Sequence, residues 1–336
     1  MHLLEVEQLR VSFASPDGIV EAVRGLSFQV DKGETLGIVG ESGAGKSVAM
    51  QAVTGLVSNA RVSGSAKFLG ENLLELSSKD RRRLLGSEIA FVFQDPSSSL
   101  HPLYRVGWQI AEVLRAHGKA SRHESQQRAI ELLGLVGIPS PERRVNDYPH
   151  QFSGGMRQRV MIAMAIALNP ALLIADEPTT ALDVTIQAQI LDLLKGLQEE
   201  LEMGIVIITH DLGVIAELAD RVLVMYAGRQ VEQADVRTLF HSPHHPYTQG
   251  LLESLPANEP GGRLRAIAGQ PPSLLQLPSG CPFRPRCRYA FDTCASEEPA
   301  LREVGGQVDH VSACWLSPDE VGLGSHGLGH QIVARS

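Results

Sequence analysis

Eight residues, Gly40-Glu41-Ser42-Gly43-Ala44-Gly45-Lys46-Ser47, have the types and spacing to hold a phosphate chain. They fit G-x-x-x-x-G-K-[ST], the phosphate-binding P-loop. Glycines let successive backbone N–H groups turn inward as an anion nest. A helix N-terminus adds its dipole and its donors. Lys46 is then placed to reach the β- and γ-phosphates, and Ser47 to put its hydroxyl on Mg²⁺. Gly40, Ser42, Gly43, Ala44 and Gly45 form the cradle itself. A second set lies at the end of the apolar run Leu172-Leu173-Ile174-Ala175. Asp176 can hold Mg²⁺ beside such a loop. Glu177, one residue later, can polarise an attacking water as general base.

These groups need elements to position them. The P-loop follows a strand-like run, Thr35-Leu36-Gly37-Ile38-Val39, and opens a helix-like run from Ser47. Further apolar strands are expected at Ile89–Phe93, Leu172–Ala175, Ile205–Ile208 and Val222–Met225, with helical patterns between them. The clearest helix carries Ile186, Ile190, Leu193, Leu194, Leu197 and Leu201 on one stripe. Buried strands alternating with helices imply an α/β fold with a mainly parallel sheet. Its ligands belong at the carboxyl ends of the strands. Residues 4 to 30 alternate apolar and polar in short runs and predict antiparallel strands, with a turn at Asp17-Gly18. Residues from about 97 to 170 offer no strand and predict a helical insertion. After about residue 250 a series of prolines, from Pro256 to Pro282, marks a separate C-terminal segment. The last 20 residues are glycine-rich with little core material, so disorder is expected there.

Composition narrows the class. The 336 residues suffice for one large domain and a smaller one. Net charge is −8, so no attraction to nucleic acid is expected. The start of the chain lacks the basic and long apolar regions of an export signal. The longest apolar run, Val160 to Leu168, is too short for a membrane span. A cytoplasmic location is expected, with the membrane reached only through a partner. All four cysteines lie in the last 60 residues, which in a reducing compartment favours a metal site or simple burial over disulfides.

Several short motifs in one order carry a family resemblance. Phe152-Ser153-Gly154-Gly155-Met156 precedes a helix. Gln94 follows the strand Ile89–Phe93. Ala181-Leu182-Asp183 follows the two carboxylates, and His210 follows Ile205–Thr209. Together with the P-loop, the chain resembles the ATP-binding subunits of ABC transporters over roughly residues 3 to 250. These motifs look like the signature loop, Q-loop, D-loop and switch histidine of that family. The resemblance implies a P-loop ATPase fold over residues 1–250. It comprises an antiparallel β subdomain and a helical subdomain at about 97–170. ATP would lie between the P-loop of one subunit and Ser153, Gly154 and Gly155 of another. Gln94 would sense Mg²⁺ and water, His210 would contact the γ-phosphate, and Asp183 would belong to the dimer contact. Two departures stand out: Phe152 and Met156 replace the usual outer Leu and Gln of the signature. Phe13 is the candidate aromatic for stacking on adenine.

Three further features resemble the peptide-importer branch. They are Phe93-Gln94-Asp95-Pro96 with the serines after it, His245-Pro246-Tyr247-Thr248, and a C-terminal extension with Cys281-Pro282-Phe283-Arg284-Pro285-Arg286-Cys287. The branch implies a second ATPase subunit, two membrane permease subunits and an extracytoplasmic solute-binding protein. It also implies a station on the cytoplasmic face of the inner membrane. Dipeptides or oligopeptides are the expected cargo; nickel chelates, glutathione or another small solute are the alternative. A soluble ABC ATPase of translation or DNA repair is disfavoured by the single P-loop and the lack of a heptad run. The cysteines of the extension, residues 251–316, are spaced C-x5-C-x6-C-x19-C. Cys281, Cys287, Cys294 and Cys314 could take a [4Fe–4S] cluster, zinc or no metal. The wide spacing and the family resemblance favour the cluster. His241, His244 and His245, with prolines around them, predict a surface turn rather than a metal site.

Overall fold

The structure is a computed structural model that describes residues 2–118, 120–180, 182–255, 266–318 and 320. The chain divides into two compact units that do not follow chain order. The first holds Met1–Leu3, Val30–Glu34 and Glu75–Ile208. The second holds Leu4–Gln29, Thr35–Leu74 and Thr209–Ser336.

In the second unit the expected antiparallel segment is a four-stranded sheet. Strands β1 (Leu4–Ser15) and β2 (Gly18–Val30) meet at the predicted Asp17-Gly18 turn. Strands β4 (Ala60–Phe68) and β5 (Glu71–Asn72) complete the order β2-β1-β4-β5. Strand β4 was not legible in the sequence, because its outward residues Arg61, Ser63, Ser65 and Lys67 leave too little apolar alternation. It pairs antiparallel with β1 from Leu4↔Phe68 to Phe13↔Ala60, with a bulge between Glu7 and Arg10.

The same unit carries β3 (Thr35–Val39), which is buried along its whole length. It runs parallel to β9 (Arg221–Tyr226). Strand β10 (Arg229–Asp235) turns back on β9. Strands β11 (Arg302–Val304) and β12 (Gln307–Ser312) then add antiparallel pairs, giving β11-β12-β10-β9-β3. The proline-rich extension thus borrows a sheet edge instead of building its own core. Gly37 makes β3 compatible with the helix Leu212–Leu218, since a Cβ there would sit 2.6 Å from the end of Ile215 and 3.2 Å from Ala219.

The first unit holds three parallel strands in the order β8-β7-β6: β6 (Ile89–Val92), β7 (Leu172–Asp176) and β8 (Gly204–Thr209). All lie where the apolar runs predicted them. No strand occurs between residues 93 and 171 among the described residues. Helices Val106–Ala116, Arg122–Leu135 and Gly154–Ala165 are its longest elements. The helix Val184–Leu201 buries Ile190, Leu191, Leu194 and Leu197 on its inner stripe.

The histidine-rich stretch corrects the expectation of a surface turn. His241 is exposed, but His244 and His245 are 5% and 2% exposed. The reason is Glu232 of β10, which is fully buried. A buried carboxylate is tolerated only when its lone pairs are filled. Glu232 accepts the backbone N–H groups of His244 (2.6 Å) and His245 (2.9 Å), and its Oε1 lies 2.8 Å from Nε2 of His310 on β12. One carboxylate therefore ties the chain entering the helix Pro246–Glu253 to the extension. His245 also caps that helix, its Nδ1 accepting from the N–H of Tyr247 at 3.1 Å.

Burial holds His245 neutral, lowering its pKa from 6.5 to about 4 against the opposing pull of Glu232 and with some help from His244. Above pH 6.5 the ring is neutral whether the chain is folded or not. Below it the unfolded chain binds a proton that the folded chain refuses, so stability falls as pH drops toward 4. At pH 5 this one group should remove about 2 kcal/mol relative to pH 7.5. His245→Asn keeps a capping acceptor without the titration. Urea melts at both pH values should show a smaller acid loss in that variant; an equal loss would exclude His245 as the source.

Candidate functional site

In the second unit the P-loop is launched by buried β3 and received by the helix Lys46–Val53. Its shape requires glycine. Gly45 has φ 96° and stands at the N-terminus of the helix; a Cβ on it would lie 2.3 Å from the carbonyl oxygen of Ala22. Gly40 meets the Met225 carbonyl oxygen at the same distance. Gly43, φ 82°, faces open space, with no atom within 4 Å of where a Cβ would stand. The loop is thus fixed at both ends and open at Ser42 and Gly43, which are exposed, while Ala44 is buried. No acidic side chain occupies the first helical turn and no side chain caps it. Such a helix start suits an anion. Lys46 is 6% exposed, its Nζ donating to the carbonyl oxygens of Gly40 (2.7 Å) and Glu41 (3.1 Å). The ammonium is therefore folded over the loop it is expected to serve. Ser47 is half-buried at the start of the same helix.

Two other predicted residues belong to this unit. His210 is exposed just beyond β8, ahead of the helix Leu212–Leu218 that Asp211 caps. Phe13 lies half-buried on β1 opposite Ala60.

The first unit holds the carboxylates. Asp176, the last residue of β7, is 4% exposed. Glu177 leaves the strand in a left-handed conformation, φ 48°, with its N–H bound to the Ile208 carbonyl oxygen at 2.8 Å. This backbone twist, uncommon outside glycine, turns its side chain away from the strand line. Its Oε2 accepts from Gln94 Nε2 at 2.8 Å and from Thr180 Oγ1 at 2.9 Å. The structure thus brings Gln94 and Glu177 together, and adds Thr180. Thr180 carries the i, i+3 spacing from Glu177 that makes such a contact local, which is the signal the sequence reading missed.

In the same unit Ser153 caps the helix Gly154–Ala165, its Oγ accepting from the Met156 N–H at 3.3 Å. Gly155 is buried with a packing job: a Cβ on it would stand 2.4 Å from Ile186. Gly154 has room, with Leu182 at 3.8 Å. Phe152 is 3% exposed, with the Arg144 guanidinium 5.7 Å from its ring centre. Asp183 is exposed and caps the helix Val184–Leu201 by accepting from the Ile186 N–H at 3.0 Å. Ala181, and residues 321–336 of the glycine-rich tail, lie outside the described residues.

The cysteine expectation lacks support from the geometry. All four thiols are free. Burial first, and the neighbouring cysteines next, push Cys287 up to about 11 and Cys314 up to about 12. Cys281 is raised for the same reasons. A raised value favours the thiol form of the metal-free chain, so a metal would have to displace these protons to gain thiolate ligands. Among the described residues no group of three or more His, Cys, Asp or Glu is arranged to hold a metal ion. Likewise, no described helix is long and apolar enough to cross a membrane.

Sequence reasoning also missed a set of contacts made by Glu41 inside the P-loop. Its carboxylate is held by Arg286 of the extension, and its N–H by the hydroxyl of Tyr247. The residues are more than 200 positions apart, so no local pattern could announce them.

Comparison with known proteins agrees with this architecture. Residues 23–180 match the family model described as ABC transporter, and residues 231–294 match the oligopeptide/dipeptide transporter, C-terminal region. The chain is 53% identical over 322 residues to the oligopeptide transport ATP-binding protein OppD of Bacillus subtilis, covering 94% of this chain and 90% of that one. It is 49% identical over 325 residues to the dipeptide transport ATP-binding protein DppD of Escherichia coli, covering 96% and 99%. Among solved structures, the dimeric ATP-binding cassette MJ0796 bound to ADP and Pi matches with TM-score 0.62 at 27% identity, over 69% of this chain and 98% of that one. With an α/β cassette fold, a P-loop following a fully buried strand and a matching C-terminal region, the chain belongs to the ATP-binding proteins of the oligopeptide and dipeptide ABC transporters.

Proposed function

We propose that this chain is the ATP-hydrolysing subunit of a membrane importer that takes up dipeptides or oligopeptides. One observation carries the reading. A P-loop open at Ser42 and Gly43 occurs in the same chain as a C-terminal region that matches the oligopeptide/dipeptide transporter model. The relatives named for oligopeptide and for dipeptide transport match at near-equal identity, so the cargo class is peptide and its length is set elsewhere.

The residues divide the work as follows. Backbone N–H groups of Gly43, Ala44 and Gly45 and the Lys46 ammonium take the phosphate chain. Ser47 and Asp176 would hold Mg²⁺, with Gln94 completing its shell; the ion supplies charge neutralisation for the transferred phosphoryl group. Glu177, steadied on one oxygen by Gln94 and Thr180, accepts a proton from the attacking water. His210 orients the γ-phosphate, and Phe13 stacks on the base. Ser153 and Gly154 of a second ATPase subunit close the site, and Asp183 lies in that dimer contact. Two permease subunits and an extracytoplasmic solute-binding protein complete the transporter, with this chain on the cytoplasmic face of the membrane.

The four cysteines are proposed as donors to an iron–sulfur cluster on the strength of their donor chemistry and spacing alone. Cys281, Cys287 and Cys294 each oppose ionisation of Cys314, and a bound metal cation would offset that repulsion between thiolates. No step of ATP hydrolysis runs through such a group. Anaerobically purified chain should then carry about four iron and four acid-labile sulfide, as a [4Fe–4S] centre requires, and lose both in Cys287→Ser. Metal-free protein would reject the cluster and leave the ATPase reading intact.

Two predictions test the ATPase itself. Glu177→Gln should keep ATP binding but reduce hydrolysis about a hundredfold or more, the range for losing a general base. It should trap an ATP-bound dimer on size-exclusion chromatography and abolish uptake of a labelled dipeptide by cells. Normal turnover would remove Glu177 from the mechanism, and intact peptide uptake beside lost nickel-chelate uptake would change the cargo. Gly45→Ala should lose ATP affinity by more than tenfold, because the added Cβ meets the Ala22 carbonyl oxygen and φ is positive. Unchanged binding of a fluorescent ATP analogue would contradict the loop geometry.

A further inference from the structure

Within the P-loop, Glu41 is an awkward residue. Its carboxylate is a negative charge one position from Gly40, in a loop read here as a polyphosphate cradle. The structure shows what is done with that charge. Arg286 grips it with both arms of its guanidinium: Nη1 to Oε2 at 2.6 Å and Nη2 to Oε1 at 2.9 Å. This fork-on-fork pairing has the geometry that only arginine supplies. The Arg286 side chain is 4% exposed. Two further donors are engaged, Nε with the Ala268 carbonyl oxygen at 2.9 Å and Nη1 with the Tyr226 hydroxyl at 3.4 Å.

The grip is held by an aromatic cluster. Arg286 lies 5.9 Å from the ring centres of both Tyr226 and Phe283. Tyr226, Tyr247 and Phe283 contact one another at 4.6 to 5.4 Å between centroids. Tyr247 is fully buried and its hydroxyl accepts the Glu41 N–H at 2.7 Å. The Glu41 backbone and side chain are therefore both fixed, one by the helix Pro246–Glu253 and the other by the extension. Arg286 closes the short turn Arg284–Arg286, whose flanks are Cys281 and Cys287. The sequence features His245-Pro246-Tyr247 and Cys281 to Cys287, unconnected in the chain, converge on one P-loop residue.

We propose that Arg286 is a positioning residue for the P-loop: by binding the Glu41 carboxylate, it neutralises a charge that would oppose the triphosphate and holds the loop open for it. The inference rests on the reading that this loop binds ATP. It makes the extension a working part of the nucleotide site. Glu41 is 27% exposed, so removing the buried Arg286 leaves a partly desolvated carboxylate uncompensated. Loss of Arg286 should thus act through Glu41, and loss of both should undo the damage.

The test uses the full chain assembled with its transporter partners. It reads ATP affinity with a fluorescent ATP analogue, KM and kcat for ATP, and thermal unfolding. Arg286→Met should weaken ATP binding about tenfold, the order expected for one unscreened charge near a phosphate chain. The rise should fall on KM with kcat changed less, and should shrink at high salt. The double variant Glu41→Gln with Arg286→Met should recover most of the lost affinity. Arg286→Lys, which keeps the charge and loses the fork, should fall between Arg286→Met and the parent, and carries the test if Arg286→Met does not fold. A parent that binds ATP and an Arg286→Met variant that binds it equally well would overturn the inference alone. So would a double variant as weak as Arg286→Met. A parent chain with no saturable binding abolished by Lys46→Ala would overturn the ATP reading and the inference together.

Discussion

A polyphosphate must be met by backbone N–H groups held in a shape that ordinary residues cannot adopt, and the rest of the second unit is arranged around that demand. Strand β3 is buried along its whole length, so the point where the loop begins cannot drift. At the far end Gly45 passes so close to the Ala22 carbonyl oxygen that no side chain fits. Between those anchors the loop is exposed at Ser42 and Gly43. Rigidity at the ends and access in the middle are what preorganised anion binding requires, since a loop that had to order itself on binding would lose affinity to entropy.

The C-terminal extension follows a different logic. It is short, interrupted by prolines, and has little apolar surface to bury. It gains its structure by pairing β12 with β10 and by satisfying a buried carboxylate. Glu232 takes two backbone donors from one segment and approaches the His310 ring of another. Removing any of these partners would leave a buried charge short of ligands, so the segments are held together by a shared polar requirement more than by packing area. Arg286 repeats the pattern at Glu41. In both cases a carboxylate on the ATPase side dictates where the extension lies.

The carboxylates of the first unit show how a fold orients a candidate base. Asp176 ends a fully buried strand, which fixes it with little freedom. Glu177 escapes the strand direction through a left-handed backbone, and two donors then meet on a single oxygen. The positive φ is local strain, tolerated because its N–H is bonded to Ile208 of the neighbouring strand. Glycines of the signature loop divide similarly: Gly154 leaves space, while Gly155 is consumed by packing on Ile186. Adjacent identical residues thus differ, one leaving open space and the other taken up by packing.

The P-loop, the apolar strands β3, β6, β7, β8 and β9, the carboxylates at the end of β7 and the family order of the motifs were all legible in the sequence. Each of these is written in neighbouring residues, because strand burial, glycine conformations and helix starts are local properties of the chain. Strand β4 escaped notice since its outward face is polar, and His244 and His245 were misjudged since prolines and histidines look like a surface turn. Tertiary structure alone buries those histidines around Glu232, commits Gly155 to packing, and pushes up the thiols of Cys281, Cys287 and Cys314 by burial. Only it could join Glu41 to Tyr247 and Arg286. Such pairings depend on where distant segments come to rest, and a residue's type says nothing about which charge, 245 positions away, will need it.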